Sequence, residues 1–246
     1  MKKLKVLDLF SGIGGFSLGL ELTGYYTTTS FCEIDKDARE VLRKHWGDVL
    51  IYEDIREMSP EESSYDIICG GFPCQDISTA GKGVGIEGSR SNLWKEYARI
   101  IKKVKPRAVI IENVANLRNK GLNQVLKNLW EIGYDSEWHI ISASSFGAPH
   151  QRERLWIIAY PQCKRQSGPW LSGNAFHTEE GSYREASRLI HAFREKSLPY
   201  VCRGHDGISP KMDKARLTQL GNAVVPQIVS YIGKEIFKKI KAQDDI

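Results

Sequence analysis

The stretch that decides the fold is KVLDLFSGIGGFSLGLELT, residues 5–23. Its first part, Lys5–Phe10, has the apolar character of a buried strand, and Gly15–Thr23 has the character of a helix. A glycine-rich turn separates the two. We therefore predict a strand–turn–helix unit in which backbone amides at the helix N-terminus can approach a ligand closely, because glycine has no side chain to obstruct them.

Strand and helix patterns continue to alternate along the first 160 residues. The predicted strands are Thr28–Glu33, a short segment ending at Asp54, Tyr65–Gly70, Ala108–Ile111, Glu137–Ser142 and Arg154–Tyr160. The predicted helices are Asp35–His45, a segment from Ser91 that Pro106 stops, and Leu122–Ile132. This order indicates an α/β fold with a doubly wound, mostly parallel sheet, in which ligands bind at the carboxyl ends of the strands. The last two strands are expected to form an antiparallel pair.

The pattern changes after Tyr160, which suggests three segments. Residues 1–160 form the main domain, and residues 161–216, rich in Pro, Ser, Gly, Arg and His, are predicted to be a small inserted lobe. A capping box and an apolar stripe predict one helix in the lobe, Tyr183–Lys196. Residues 217–246 are expected to return to the main domain through an amphipathic helix with Pro226 near its first turn.

Composition and charge restrict the class of protein. The chain has 246 residues, 41% of them hydrophobic and 26% charged, which argues against a disordered or fibrous chain. The net charge is +5, and residues 161–216 hold ten basic and six acidic residues, so most of the positive excess is local. We predict no membrane span and no signal peptide, hence a cytoplasmic protein. Five cysteines without CxxC or zinc spacing predict reduced thiols and no metal site.

Two acidic residues follow the second and third predicted strands. Glu33 is placed to accept the two hydroxyl hydrogens of a ribose, and Asp54 to accept from an adenine amino group. A dinucleotide fingerprint would need a third glycine where Ser17 stands, so a nicotinamide-dependent dehydrogenase is a weak alternative. A tight turn followed by solvated acids remains the plain structural alternative.

A cysteine and a glutamate mark two further strand ends. Cys74 follows the strand Tyr65–Gly70 and opens a glycine-rich loop, with Pro73 before it and polar residues after it. This setting permits an exposed thiol with a lowered pKa, whereas Cys69, inside an apolar strand, is expected to be a small buried hydrophobe. Glu112 lies where the strand Ala108–Ile111 stops. A thiol and an acid at two strand ends of one sheet indicate a catalytic site.

Five segments in this order resemble the motifs of the cytosine C5 DNA methyltransferase family, of the restriction-modification or phage type. They are DLFSGIGGFSLGL from Asp8, GGFPCQDIS from Gly70, ENVANL from Glu112, QRERLWIIA from Gln151 and QLGNAVVPQIVSYIG from Gln219. The resemblance covers nearly the whole chain. It implies a Rossmann-like methyltransferase fold, S-adenosylmethionine as the methyl donor, and double-stranded DNA as the substrate.

The resemblance also assigns site residues. The residues implied to surround S-adenosylmethionine are Phe10, Gly12, Ile13, Gly15, Glu33, Asp54, Ile55, Pro73 and Asn222. Cys74 is implied to be the nucleophile and Glu112 the acid, while Arg152 and Arg154 would hold the cytosine and the nearby backbone. The predicted DNA contacts are Gln75 and Ser78 on the loop after Cys74, and the basic residues Lys164, Arg165, Arg184, Arg188, Arg203 and Lys211 in the lobe.

The implied chemistry accounts for these residue types. A thiolate that adds to C6 of cytosine makes C5 nucleophilic enough to take a methyl group. A protonated Glu112 can relieve the charge that develops at N3, and Arg154 can bind the O2 side. Because C6 is buried in a duplex, the base must first leave the stack.

Some alternatives remain open at this level. The same residues would serve methylation of tRNA, and a non-catalytic protein that binds the cofactor and DNA would share the turn but not need the cysteine. The lobe of residues 161–216 is shorter than the target-recognition region usual in the family, which suggests low sequence specificity. We expect a monomer that acts on its own, with any cognate restriction endonuclease acting separately.

Overall fold

The computed structural model describes residues 2–73, 92–148, 151–162 and 223–245. Its strands are β1 Leu4–Leu9, β2 Tyr26–Cys32, β3 Leu50–Tyr52, β4 Ile67–Gly70, β5 Ala108–Val114, β6 Tyr134–Ser142 and β7 Glu153–Pro161. Its helices are α1 Gly15–Glu21, α2 Lys36–Trp46, α3 Asn92–Val104, α4 Leu117–Lys120, α5 Leu122–Glu131 and α6 Pro226–Asp244. A 3₁₀ turn, Ala143–Phe146, follows β6.

The seven strands form one sheet in the order β3-β2-β1-β4-β5-β7-β6. The pairs β1–β2, β2–β3, β1–β4 and β4–β5 are parallel, whereas β7 runs antiparallel to both β5 and β6. The chain starts near the middle of the sheet and winds outward in both directions. The predicted doubly wound, mostly parallel α/β sheet is therefore confirmed, together with the antiparallel pair at its edge.

Helices cover both faces of the sheet, and the two-residue period of the strands divides the core between them. In β5, Val109 and Ile111 point to the face that α3 and α5 cover, and Ala108 and Ile110 point to the face of α1 and α6. Because both faces are buried, the central strands are continuous apolar runs. Within the described ranges, no helix has both the length and the apolar character needed to cross a membrane.

Several elements differ from the sequence prediction, among them β5, the short helix α4, and β6, which begins at Tyr134 and not at Glu137. We expected the fifth strand to end at Ile111, but β5 continues to Val114 because Asn113 and Val114 pair with β7. Glu112 therefore lies inside a strand and not after one. The short helix α4 was not predicted, because four residues are too few to show a helical period.

The inserted lobe of residues 161–216 falls almost wholly outside the described residues, as does its helix Tyr183–Lys196. The C-terminal helix is described, and Pro226 lies in its first turn, as expected. Its residues Ile228, Ile232, Ile236 and Ile240 are buried against the sheet. Within the described ranges, the C-terminal segment thus packs on the main domain.

Candidate active site at the strand ends

The parallel strands bring four chain segments to one edge of the sheet. The glycine-rich turn follows β1, Glu33 follows β2 and Gly71 follows β4, while Glu112 lies near the end of β5. Arg154, near the start of the antiparallel β7, reaches the same edge and pairs in register with Val114. Motifs that are distant in sequence therefore meet at the carboxyl ends of the central strands, where doubly wound sheets bind their ligands.

The glycine-rich turn is shaped by close packing as well as by backbone conformation. Gly14 has φ +85°, and a Cβ there would lie 2.6 Å from the ring of Trp46. A Cβ on Gly15 would lie 2.9 Å from a methyl group of Val224, at the start of the C-terminal segment. At Gly12, by contrast, a Cβ would meet nothing within 4 Å. The turn is thus tight on its inner side and open at Gly12.

A buried aspartate anchors this turn to the next helix. Asp8 is fully buried, and its Oδ2 accepts hydrogen bonds from the hydroxyl group of Ser17 at 2.7 Å and from the Ser17 amide at 3.2 Å. The carboxylate therefore satisfies an amide in the first turn of α1, whose N-cap residue, Gly14, has no side chain to do so. Burial raises the pKa of Asp8 to about 7. Asp8 was not among the predicted site residues, although a lone acid in an apolar strand was the available signal.

Glu33 is a buried carboxylate held by two backbone amides. Its Oε2 accepts from the amide of Gly12 at 2.7 Å, and its Oε1 accepts from the amide of Asp35 at 2.8 Å. These bonds connect the glycine-rich turn to the start of α2. A carboxylate offers about four acceptor positions, so each oxygen of Glu33 keeps capacity for one further donor.

Asp54 lies beside the third strand, and Arg56 occupies its carboxylate. The Nε atom of Arg56 lies 2.9 Å from both carboxylate oxygens, and the amide of Arg56 also donates to Oδ1. The hydrogen bonds from Arg56 lower the pKa of Asp54. Ile55, also predicted to surround the cofactor, is buried in the core, with its carbonyl group accepting from Arg99.

Two glycines at the end of β4, Gly70 within it and Gly71 just after it, allow the backbone to pass between two strands. Gly70 has φ +154°, and a Cβ there would lie 2.0 Å from the carbonyl oxygen of Leu9. A Cβ on Gly71 would lie 2.8 Å from Oε2 of Glu112. The first glycine is therefore required by the packing of β1, and the second leaves room for a carboxylate.

Asn113 connects this segment to β5. The Nδ2 atom of the buried Asn113 donates to the carbonyl oxygen of Phe72 at 3.1 Å, one residue before the exposed Pro73. Phe72 in turn packs against Trp94 of α3, with ring centroids 5.2 Å apart. The backbone that leads to Cys74 is thus fixed by a side chain of the neighbouring strand. This role of Asn113 was not predicted from the sequence.

Glu112 is buried beside two arginines. The Nε atom of Arg154 lies 2.9 Å from Oε1 of Glu112, although no hydrogen bond of ordinary geometry reaches that oxygen within the described residues. Burial raises the pKa of Glu112 to about 7, against the opposing effect of Arg154 and Arg152. Near neutral pH this side chain can therefore exist as an acid or as a base.

Arg152 precedes β7 and is partly buried. Desolvation, followed by repulsion from Arg154, lowers the pKa of Arg152, while Glu112 opposes the shift. Its carbonyl oxygen accepts from the amide of Ala143 at 3.1 Å. The structure thus brings both predicted arginines to the neighbourhood of the predicted acid.

The structure does not describe several predicted site residues. Those outside the described ranges are the nucleophile Cys74, the DNA-contact residues Gln75 and Ser78, the cofactor residue Asn222, and the basic residues Lys164, Arg165, Arg184, Arg188, Arg203 and Lys211. Among the remaining predicted cofactor residues, Phe10 lies beside Tyr97, with ring centroids 6.1 Å apart, and Ile13 is half-buried in the turn. Cys69 is buried with a free thiol, as predicted.

Comparison with known proteins gives a consistent result. Residues 4–202 match the family model for C-5 cytosine-specific DNA methylase. The type II methyltransferase M2.BsuMI of Bacillus subtilis is 42% identical over 227 residues, which are 84% of this chain and 58% of the relative. The type II methyltransferase M.HhaI of Haemophilus parahaemolyticus is 38% identical over 162 residues, 64% of this chain and 49% of the relative.

The chain therefore spans about half the length of the curated relatives that it matches. Solved structures show the same fold at lower identity. The methyltransferase EhMeth of Entamoeba histolytica superposes with a TM-score of 0.68 over 98% of this chain and 99% of that protein, at 15% identity. The Dnmt2 methyltransferase of S. pombe gives a TM-score of 0.59 over 72% of this chain and 56% of that protein, at 23% identity.

Proposed function

This chain belongs to the C-5 cytosine-specific DNA methylase family, and from that premise we propose that it methylates C5 of cytosine in double-stranded DNA, with S-adenosylmethionine as the donor. One observation carries the proposal. Glu112 is buried beside Arg154, and its pKa of about 7 lets it hold a proton near neutral pH at the edge where the glycine-rich turn lies. A solvated surface acid would not hold that proton.

The methyl-donor half of the proposal rests on Glu33 and the turn. Each carboxylate oxygen of Glu33 already accepts one backbone amide and retains capacity for one hydroxyl group, which matches the two hydroxyls of a ribose. The open face of the turn at Gly12 leaves space beside this carboxylate. We therefore assign Glu33 to the ribose, and Phe10, Gly12, Ile13, Gly15, Ile55, Pro73 and Asn222 to the rest of that site.

The assignment of Asp54 to the adenine amino group carries a condition. Arg56 contacts both oxygens of Asp54, so an adenine would have to share the carboxylate with the guanidinium group or displace it. Since Asp54 and Arg56 form their pair on the surface, the cost of rearranging it is small.

The cytosine half of the proposal rests on Glu112, the two arginines and Cys74. The thiolate of Cys74 adds to C6 of the flipped base while Glu112 donates its proton to N3, and Arg154 binds the O2 side. S-adenosylmethionine, when bound, supplies the electrophilic methyl group. Loss of the C5 proton to a base then expels the Cys74 thiolate and restores the ring, and the N3 proton returns to Glu112.

Several chain segments have roles that follow from this assignment. The loop after Cys74, with Gln75 and Ser78, would contact the DNA around the flipped cytosine, and the basic lobe of residues 161–216 would bind phosphates. The free thiols of Cys32 and Cys69 suit a reducing compartment, and we propose that the protein acts on DNA in the cytoplasm. Any cognate restriction endonuclease would act separately, and the monomeric state remains part of the proposal.

Methyl transfer to defined nucleic acids tests the proposal. The full chain is incubated with S-adenosylmethionine labelled in its methyl group and with duplex DNA or tRNA in parallel. We expect label in duplex DNA only, at C5 of cytosine after digestion to nucleosides. Label confined to tRNA would overturn the choice of substrate, and absence of label in both would overturn the proposed activity.

Covalent trapping of the chain on DNA provides a second, independent test. Duplex DNA that contains 5-fluorocytosine should form a covalent adduct with the chain, because fluorine at C5 cannot leave as a proton does. The adduct should require both Cys74 and the methyl donor. A chain that binds both ligands without forming an adduct would be a binding protein and not an enzyme.

A further inference from the structure

The strongest unassigned feature near the site is a buried arginine on α2. Only 8% of the surface of Arg39 is exposed, although residues 34–37, which lie shortly before it in the chain, are exposed. Buried arginines are rare unless their donors are paired. The contacts of Arg39 therefore indicate what its burial supports.

Arg39 binds the backbone on which Glu33 is mounted. Its Nη1 atom donates to the carbonyl oxygen of Glu33 at 3.1 Å and to that of Ile34 at 2.7 Å. Its Nη2 atom pairs with Glu53, just after β3, at 3.1 Å. One guanidinium group thus connects the ends of β2 and β3 across the turn that leads into α2.

With these contacts, every polar group of Glu33 is held. Its amide donates to the carbonyl oxygen of Tyr52 at 2.9 Å, its carbonyl accepts from Arg39, and its two carboxylate oxygens accept from Gly12 and Asp35. The Tyr52 and Glu53 contacts both come from the end of β3. The orientation of the carboxylate therefore depends on a frame in which Arg39 is the only side chain that donates to the backbone of Glu33 within the described residues.

We infer that Arg39 is a positioning residue for recognition of the ribose, acting through Glu33. This inference rests on the proposed function, because it takes the ligand of Glu33 to be the ribose of the methyl donor. Without Arg39, the carbonyls of Glu33 and Ile34 lose their buried donor and the turn can relax. The carboxylate would then point away from the two hydroxyl groups, while the adenine and sulfur ends of the ligand would keep their own contacts.

The inference predicts a selective loss of affinity. Arg39→Met should weaken binding of S-adenosylhomocysteine by roughly tenfold, since hydroxyl contacts to a charged carboxylate depend on alignment. The same substitution should change binding of an analogue without the two ribose hydroxyls by less than about twofold, because that ligand makes no use of Glu33. Titration calorimetry of the full-length variants measures both affinities.

Three variants complete the design. Arg39→Lys keeps the charge but cannot reach both carbonyls and Glu53 together, so we expect an intermediate loss. Glu53→Gln removes an exposed partner, and its effect should stay within about threefold. Arg43→Met, an exposed arginine one turn further along α2, is the matched control and should bind both ligands like the wild type.

The outcomes separate the inference from the proposed function. Equal losses for both ligands would make Arg39 a general structural residue and overturn the inference, as would unchanged binding in Arg39→Met. If the wild-type chain bound neither ligand, the proposed methyl donor itself would be wrong. Should Arg39→Met fail to fold by circular dichroism, the ratio of the two losses in Arg39→Lys decides in the same way.

Discussion

Glu33 and Glu112 are both buried carboxylates at one edge of one sheet, yet their surroundings differ in kind. Glu33 accepts hydrogen bonds from two backbone amides, at 2.7 and 2.8 Å. Glu112 has a carboxylate packed against Gly71 and beside Arg154, and its pKa is raised to about 7. The same residue type is thus an acceptor for backbone amides in one place and a buried carboxyl group with a raised pKa in the other.

The difference shows how one edge of a sheet can carry two carboxylates in different environments. Amides from the glycine-rich turn and from the start of α2 donate to the carboxylate of Glu33, because turns and helix N-termini present unpaired N–H groups. Glu112 lies within a strand whose own amides are used in the sheet, and its Oε1 atom lies beside the Nε atom of Arg154. Location relative to the sheet therefore decides which groups surround each carboxylate.

Cys74→Ser should have the largest effect, and it should separate methyl transfer from binding of the methyl donor. Cys74→Ser should reduce methylation to background, because a serine hydroxyl is not ionised near neutral pH and cannot add to C6. Affinity for S-adenosylhomocysteine should stay within about twofold of the wild type, since Glu33 and the turn are untouched. Methyl transfer and calorimetry on the same preparation measure this. Loss of both methyl transfer and S-adenosylhomocysteine binding would mean that the role of Cys74 cannot be separated from binding of the methyl donor.

Glu112→Gln should produce the next largest effect. Glutamine can donate a hydrogen bond but cannot deliver a proton, so we expect kcat to fall by roughly 10³-fold with the affinity for the methyl donor unchanged. In the wild type, kcat/KM should fall as pH rises through about 7, because Glu112 acts in its acid form in the proposed mechanism. A pH profile that keeps this limb in Glu112→Gln would assign it to another group.

Glu33→Gln should affect binding of the methyl donor and not the rate of methyl transfer. An amide side chain has one acceptor oxygen, so either Gly12 or Asp35 would lose its acceptor and face an N–H group instead. We expect the Kd for S-adenosylhomocysteine to rise by roughly tenfold, with kcat at saturating donor changed by less than about threefold. A fall in kcat comparable to that of Glu112→Gln would contradict the proposal that Glu33 serves donor binding and Glu112 serves methyl transfer.

Gly71→Ala should give the smallest change and the most local one. The new methyl group would lie 2.8 Å from Oε2 of Glu112, so the carboxylate must move by a few tenths of an ångström. We expect kcat to fall by roughly fivefold, through altered orientation of the acid. The control is the double variant with Glu112→Gln, in which Gly71→Ala should have no further effect. Additive losses would show that Gly71 acts by another route.

Much of the fold could be predicted from the sequence, because the apolar strands and amphipathic helices show their periods directly. The end of β5 could not, since Glu112 and Asn113 interrupt the apolar run although they remain paired with β7. Strand length there is decided by a partner that lies about 40 residues away in the sequence. Propensity within a short window does not contain that information.

The site was predicted unevenly for a similar reason. Glu33 follows an apolar strand and Glu112 ends the apolar run of another, positions at which the rules for doubly wound sheets already look for ligand-binding residues. Arg39 gave no such signal, because its contacts are to backbone carbonyls of residues 33 and 34, and a polar residue on a helix is ordinarily solvated. Side-chain to backbone bonds of this kind depend on loop geometry, which the pattern of residue types does not fix.

The bond from Asn113 to the carbonyl oxygen of Phe72 has a practical consequence for protein engineering. Every residue at position 72 carries that carbonyl oxygen, so a chimera can take residues 70–73 from a relative and keep the bond, provided that the donor at position 113 stays an asparagine. We expect hybrids that replace Asn113 by a residue without a side-chain donor to express poorly, because the buried carbonyl group would lose its partner. Position 113 is therefore the one to preserve when segments are exchanged between relatives.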